Sequence, residues 1–305
     1  MQAQDRRITV HSGGCLGLGV AGTFVHYERF HYSKEAQNYA AAGKRVYVTY
    51  DSENAQLLTV IVGSVPLFDF DTPQDHFATE TAITSAVGTK HLARLNAQRL
   101  GLFGTGRQAR RHVKAMCAIR PIKEVKVYSR SVDNRRAFCA VMQKHVEAEL
   151  VPVEKPKEAA TGVDLIVCAT NSNVPVLFGE WLEEGVHVTS IVGSNKELLA
   201  EGLVSQPRRE LDDHVFKRAD AVVVTLLQQA IQDQQGDLVE PVSRGILRWE
   251  EIKELSQLVA GKVKGRTHES QITVFKQNSD QGVGYMALAK LAYEKAHQAG
   301  IGIEI

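Results

Sequence analysis

The chain has no run of 18 apolar residues, so nothing in it reads as a membrane-spanning helix. It has almost no net charge. Its 36 Lys and Arg against 35 Asp and Glu leave +1, which removes the broad electrostatic case for a nucleic-acid or membrane partner. The four cysteines, Cys15, Cys117, Cys139 and Cys168, form no CxxC pair and no metal-ligand spacing. No metal is expected, and they read as reduced residues of a cytoplasmic protein. The opening MQAQDRRITV lacks the apolar core of a secretory signal, and no internal repeat or low-complexity linker interrupts the chain. What is present is 305 residues, 44% apolar and 23% charged, an ordinary globular composition with room for two domains.

Residues 97–134 carry the strongest signal. Gln98 to Phe103 (QRLGLF) reads as a short buried strand and runs directly into Gly104-Thr105-Gly106-Arg107-Gln108-Ala109. A helical pattern follows through Val113, Met116 and Cys117, then a second strand over Glu124–Ser129. Strand, glycine turn, helix and strand in this order form the dinucleotide fingerprint in its required context. Gly104 permits the tight turn, Gly106 lets the backbone approach a pyrophosphate, and Ala109 lets the helix pack closely on the strand. The helix N-terminus offers N–H groups and a positive dipole end to the phosphates.

Strand and helix continue to alternate. VDLIVCA (163–169), VHVTSIV (186–192) and DAVVVT (220–225) read as buried parallel strands. Upstream, KRVYVTY (44–50) and QLLTVIV (56–62) flank the turn Asp51-Ser52-Glu53-Asn54 and suggest an antiparallel hairpin. Helices are expected over 79–92 and 284–299. The fold class is therefore α/β. A doubly wound parallel sheet over residues 96–275 is joined by a smaller α+β domain built from both chain ends, residues 1–95 with 276–305.

The end of the second strand bears on the cofactor. NAD sites place an acid there for the ribose 2′-OH, whereas NADP sites supply Arg. Here Tyr128 is followed by Ser129, Arg130 and Ser131, and the first carboxylate is Asp133. A 2′-phosphate suits a planar guanidinium with neighbouring hydroxyls, so NADP is favoured, with NAD possible. The ends of the next two strands, Ala169, Thr170 and Asn171, then Val192 and Gly193, complete the cofactor-binding set together with Thr81 and Asn278.

Taken jointly, several stretches resemble the ornithine cyclodeaminase/μ-crystallin family over roughly residues 10–295. They are TAITSAVGTKHL (81–92), GLFGTGRQA, VYSRS, PVLFGEWLEEG (175–185), Ile191–Ser194, Arg209–Asp212, Gly236–Leu238, Gly265-Arg266 and Thr273–Lys276. The resemblance implies a Rossmann domain, a second domain that usually makes a homodimer, and hydride exchange between a nicotinamide and the α-carbon of an amino or imino acid. The chain also departs from the family pattern. The part ahead of Gly22 and Thr23 reads as short or missing, and the family lysine expected near those two residues is absent. The family's Arg-Thr-Ala-Ala becomes Glu80-Thr81-Ala82-Ile83, and its aspartate after Val-Gly becomes Asn195.

Candidate catalytic residues are then His26, Glu80, Asn195 and Lys196. His26 and Tyr27 cluster with Arg29 and His31 beside the place of the missing lysine, and a histidine there could donate a proton. Lys196 could replace that lysine from the strand-end side. Lys276 and Asn278 follow a strand and should face the nicotinamide cleft. The first reading is an NAD(P)H-dependent imine reductase or amino-acid dehydrogenase acting on a small amino or imino acid. An ornithine cyclodeaminase-type cyclase and a catalytically lapsed NADP-binding protein are the alternatives.

Overall fold

The computed structural model describes residues 6–33, 38–42, 45–63, 65, 68, 70, 76–278 and 282–303. They fall into two compact units. One holds the residues up to Glu80 with those from Asp280 on, and the other holds Thr81–Ser279.

The smaller unit is an antiparallel sheet of β1 (Arg6–Cys15), β2 (Val20–Ser33), β3 (Asn38–Ala42), β4 (Arg45–Asp51) and β5 (Leu57–Val62). Its order is β1-β2-β4-β5, with β3 also on β2. The expected hairpin is β4–β5. Its turn is pinned by Asp51, whose Oδ1 accepts the N–H groups of Glu53 (2.8 Å) and Asn54 (3.1 Å). Those two bonds hold the Asp51 carboxyl below its ordinary range.

Because successive strand residues face opposite ways, the register sorts this sheet into two rows. His11, Phe24, Tyr47 and Ile61 align across four strands on one face. The helix Val283–Gln298 buries Tyr285, Met286 and Ala289 against Phe24, Tyr47, Val20 and Val65 there. The other face carries Val10, Val25, Val46 and Val62, then Thr23, Val48 and Val60.

The larger unit is an eight-stranded sheet of β6 (Arg99–Phe103), β7 (Glu124–Tyr128), β8 (Glu149–Pro152), β9 (Leu165–Cys168), β10 (His187–Ser190), β11 (Ala221–Val224), β12 (Lys253–Glu254) and β13 (Thr273–Lys276). The order is β12-β11-β13-β10-β9-β6-β7-β8 and every pair is parallel. Every residue of β9, β10 and β13 is buried, as strands of a doubly covered sheet are, although only β9 is a continuous apolar run. Gly101 shows how tight that cover is: a Cβ there would sit 1.8 Å from the Ala159 carbonyl oxygen. The short strand β8 lacks an apolar run and ends in Pro152. Its place at the sheet edge tolerates a residue with no N–H.

Three helices lead into or follow the first strands: α1 (His76–Leu92), α2 (Arg107–Ile119) and α3 (Val132–Met142). By contact the small unit ends at Glu80 and the large unit begins at Thr81. The reason is polar. His112 of α2 bonds Ser85 Oγ through Nε2 (3.0 Å) and the Gln108 carbonyl through Nδ1 (2.9 Å). Thr89 meets His187 (3.2 Å) and Thr189 (3.3 Å) of β10. Arg120 donates to the carbonyls of Lys90 (2.7 Å), Ala93 (3.1 Å) and Arg94 (2.8 Å). Residues 81–95 are therefore tied into the sheet unit.

Candidate cofactor site

After β8 the chain crosses the sheet to begin β9 beside β6, so strand order reverses between β6 and β9. Open α/β sheets bind ligands beyond the carboxyl ends of their strands at such a switch point. A groove of about 700 Å³ lies there, walled by the ends of β6 (Phe103, Gly104), β7 (Tyr128, Ser129) and β9 (Ala169, Thr170).

The turn is built as the fingerprint requires. Gly104 has φ +109°, and a Cβ on it would come 2.3 Å from the Ala169 carbonyl oxygen. Gly106 is different: nothing lies within 4 Å of its would-be Cβ, which leaves the space a phosphate needs. Gly106 is also the N-cap of α2 and supplies no side-chain acceptor to it. That helix start therefore presents its dipole to the groove without a competing carboxylate or hydroxyl. Ala109 is fully buried against the strand.

Thr105, Gly106, Arg107, Gln108, Ser129, Arg130, Ser131, Ala169, Thr170 and Asn171 all line the groove, joined by Asn134, Pro156, Phe178 and Trp181. No Asp or Glu is among the lining residues, whereas Arg107 and Arg130 are. Arg130 is exposed at the tip of β7. Arg135 instead is buried, donates to the Ser129 carbonyl (2.9 Å) and lies over the Tyr128 ring. Ser131 caps α3 by accepting the Asn134 N–H. The two arginines thus divide the work, one holding the strand tip in shape and one reaching into the groove.

Other candidates lie elsewhere. Thr81 is in α1 and does not line this groove. Asn195 is buried, with Oδ1 accepting the Arg208 N–H (2.9 Å) and Nδ2 donating to the Gln206 carbonyl (3.3 Å). It is a backbone clamp. Lys196 pairs with Asp233 (2.9 Å) and donates to the Gln232 carbonyl (3.0 Å). Asn278 does not line this groove; its Oδ1 accepts the N–H groups of Thr225 and Leu226, and its Nδ2 donates to the Leu226 carbonyl. In the small unit His26 is buried and stacked on His11, with the two Nε2 atoms 3.2 Å apart. Glu80 is also buried, its carboxylate against Gly284, where a Cβ would come 2.7 Å from Oε1. The side chains of Arg29 and His31 lie outside the described residues.

Lys276 does not line the groove either, and it opens a network that local sequence reasoning missed. At 0% exposure it donates to the Val192 carbonyl (2.6 Å) and to Ser190 Oγ (3.2 Å), and it pairs with Asp237 (3.1 Å). Asp237 Oδ1 accepts the N–H groups of Glu210 (2.8 Å) and Leu211 (3.0 Å). Ser190 Oγ lies 2.7 Å from Asp237 Oδ2 and 3.0 Å from Glu210 Oε2. Glu210 Oε1 accepts from the Thr170 N–H (2.6 Å) and hydroxyl (2.7 Å), and Oε2 from the N–H groups of Ile191 (3.1 Å) and Val192 (2.9 Å). Burial pushes the Glu210 carboxyl up, while the Lys276 charge and the Thr170 bonds pull it back. Among the described residues no group of three His, Cys, Asp or Glu is placed to hold a metal. The four cysteines are free, and burial pushes the Cys117 and Cys139 thiols up to about 11.

Strands that all run one way, with a phosphate-sized opening where their order turns, put the large unit in the class of Rossmann-type dinucleotide-binding domains. More particularly, the chain belongs to the ornithine cyclodeaminase/mu-crystallin family, whose profile matches residues 76–300. It is 35% identical over 280 residues to a Delta(1)-pyrroline-2-carboxylate reductase of Bacillus thuringiensis subsp. konkukian, covering 88% of this chain and 82% of the relative. It is 28% identical to the ketimine reductase mu-crystallin of Rattus norvegicus, over 86% of this chain and 73% of that one. The fold matches the Thermococcus litoralis Delta(1)-pyrroline-2-carboxylate reductase solved with NADH and L-proline, at a TM-score of 0.73 and 24% identity, over 100% of this chain and 91% of that chain.

Proposed function

We propose that the chain is an NADPH-preferring reductase of small imino acids, with Delta(1)-pyrroline-2-carboxylate as the first substrate to test. The observation that carries the cofactor preference is the groove wall at β7. It holds an exposed Arg130 between two serines and no carboxylate, the arrangement that suits a 2′-phosphate. The open space at Gly106 and the uncapped start of α2 fit a pyrophosphate. The reductase reading follows from the family and from the 35% identical relative.

A nicotinamide bound there would supply the hydride for the imine carbon, and a proton for the nitrogen would come from this chain's own residues or from water. The large unit binds and orients. Gly104 to Ala109 would hold the pyrophosphate, and Ser129, Arg130 and Ser131 would hold the 2′-phosphate. Proton delivery is assigned to the small unit, where His26 and Glu80 are its buried histidine and buried carboxylate among the described residues. His26 Nε2 lies 3.2 Å from His11 Nε2, within hydrogen-bond reach, which makes His26 the first proton donor to test.

NADPH should bind at least about tenfold tighter than NADH, equivalent to roughly 1.4 kcal/mol, and Arg130→Ala should remove most of that preference. Equal binding by the parent protein would sink the cofactor assignment. Turnover of cyclic imino acids with loss of activity in His26→Gln or Glu80→Gln supports the reductase reading. Robust cyclisation of ornithine would replace it with a cyclodeaminase, and tight NADPH binding with no turnover of either substrate would mark a lapsed enzyme.

The assembly proposed is a homodimer through the small sheet. Its face opposite the helix exposes Ile8 (67%), Val10 (55%), Val60 (46%) and Val62 (75%). The two rows Val10–Val25–Val46–Val62 and Ser12–Thr23–Val48–Val60 contain no charged residue, and the Arg6–Arg29 pair lies beyond them at the end of β1. An apolar face of this kind calls for a partner.

A further inference from the structure

Glu210 does not line the groove, yet its carboxylate joins two stretches of backbone at the ends of neighbouring strands. One is Thr170, in the groove wall after β9. The other is Ile191-Val192, directly after β10. Four donors converge on its two oxygens, two from Thr170 and one each from Ile191 and Val192. A carboxylate is acceptor-only and can take all four, whereas an amide in its place turns an NH₂ toward N–H groups that cannot accept. The carboxylate is itself held. Asp237 grips the Glu210 N–H, Lys276 grips both Asp237 and the Val192 carbonyl, and the single hydroxyl proton of Ser190 stands between the two acids. Val192 thus has its N–H on Glu210 and its carbonyl on Lys276, so the turn after β10 cannot shift without disturbing both charges. Buried networks whose every partner is satisfied hold one geometry.

We propose that Glu210 is a positioning residue for the cofactor. It fixes Thr170 in the groove wall and the Val192 turn in one relation, so that the site is set before the dinucleotide arrives. This rests on the assignment of the groove to a nicotinamide dinucleotide, and the experiment separates the two. Trp181 lines the groove, so quenching of tryptophan emission by NADPH gives a Kd for the intact chain without requiring turnover.

Glu210→Gln should raise that Kd by about tenfold or more. Thr170→Val, which loses the hydroxyl, should raise it less, and Thr170→Ser should restore it. The double variant Glu210→Gln/Thr170→Val should be little worse than Glu210→Gln alone, because both break one linkage. In turnover, the KM for NADPH should rise while the KM for the imino acid stays. Asp164→Asn is the control for general damage. It breaks the buried pair with Arg94 outside the groove, so it should lower Tm without moving the Kd.

A Glu210→Gln protein with lowered Tm and the parent's Kd would overturn the proposal, as would additive effects in the double variant. If Glu210→Gln does not fold, parent-like affinity in Thr170→Val would overturn it equally. A parent chain that binds neither NADPH nor NADH would remove the groove assignment itself, and this proposal with it.

Discussion

The two sheets treat apolar residues in opposite ways. In the large unit β9, β10 and β13 are buried on both faces. The buried polar side chains of these strands are bonded in clusters, Ser190 and Lys276 with Glu210 and Asp237 at the strand ends, and His187 and Thr189 with Thr89. In the small unit one face is sealed by the helix Val283–Gln298, and the other shows a row of valines to solvent. A parallel sheet covered on both sides completes its core within the chain, whereas an antiparallel sheet covered on one side leaves a surface to be completed by association. The first arrangement builds a rigid floor for a ligand, and the second builds a contact.

The comparison breaks most sharply at Lys276. Lys276→Met leaves Asp237 and Glu210 buried without their cation, and removing one partner of such a cluster costs about 3–5 kcal/mol. A urea midpoint unchanged from the parent would show that the network does not hold the large unit together. The matching change in the small unit is Val10→Lys with Val60→Lys. Both positions are exposed, so the folded chain should tolerate them, within about 1 kcal/mol. Sedimentation should shift from dimer to monomer. A dimer that survives both lysines would place the interface elsewhere.

A smaller effect concerns pH, and it is read from two histidines of the large unit. Burial holds His112 down to about 4 and His187 down to about 3. These rings stay neutral in the folded chain while the unfolded chain takes up protons below about 6.5. Their contribution to stability is therefore complete above about 6.5 and is lost as pH falls toward those values. His112→Asn should be less stable than the parent at neutral pH, and its stability should fall less between pH 6.5 and 4.5. Parallel pH curves for the two proteins would contradict this.

What the sequence discloses follows from how far apart the cooperating residues lie. The fingerprint is legible because Gly104, Gly106 and Ala109 sit within one strand–turn–helix. The β4–β5 hairpin and the two long helices are legible because their periodicity is continuous. The Ser190–Glu210–Asp237–Lys276 cluster is not, since strand pairing brings together side chains up to 86 residues apart. Asn195 stands out by its place after Val-Gly in the family pattern and Asn278 by following a strand, and the backbone donors and carbonyls that their amides bond lie up to 53 residues away in sequence. The long strands β1 and β2 carry charged and aromatic residues without a clean alternation, so only their pairing register reveals the two faces.

The bare start of α2 has a thermodynamic consequence. Gly106 provides no side-chain acceptor to the first turn, so the protein leaves part of its own stabilisation to whatever anion settles there. A ligand that binds only the folded chain adds stability by mass action, about 2.7 kcal/mol at a hundred times its Kd. The melting temperature of this protein therefore becomes a ledger of its occupancy. A series of melts with NADPH, NADH and inorganic pyrophosphate would rank the three anions in the order in which the helix receives them, before any substrate is known.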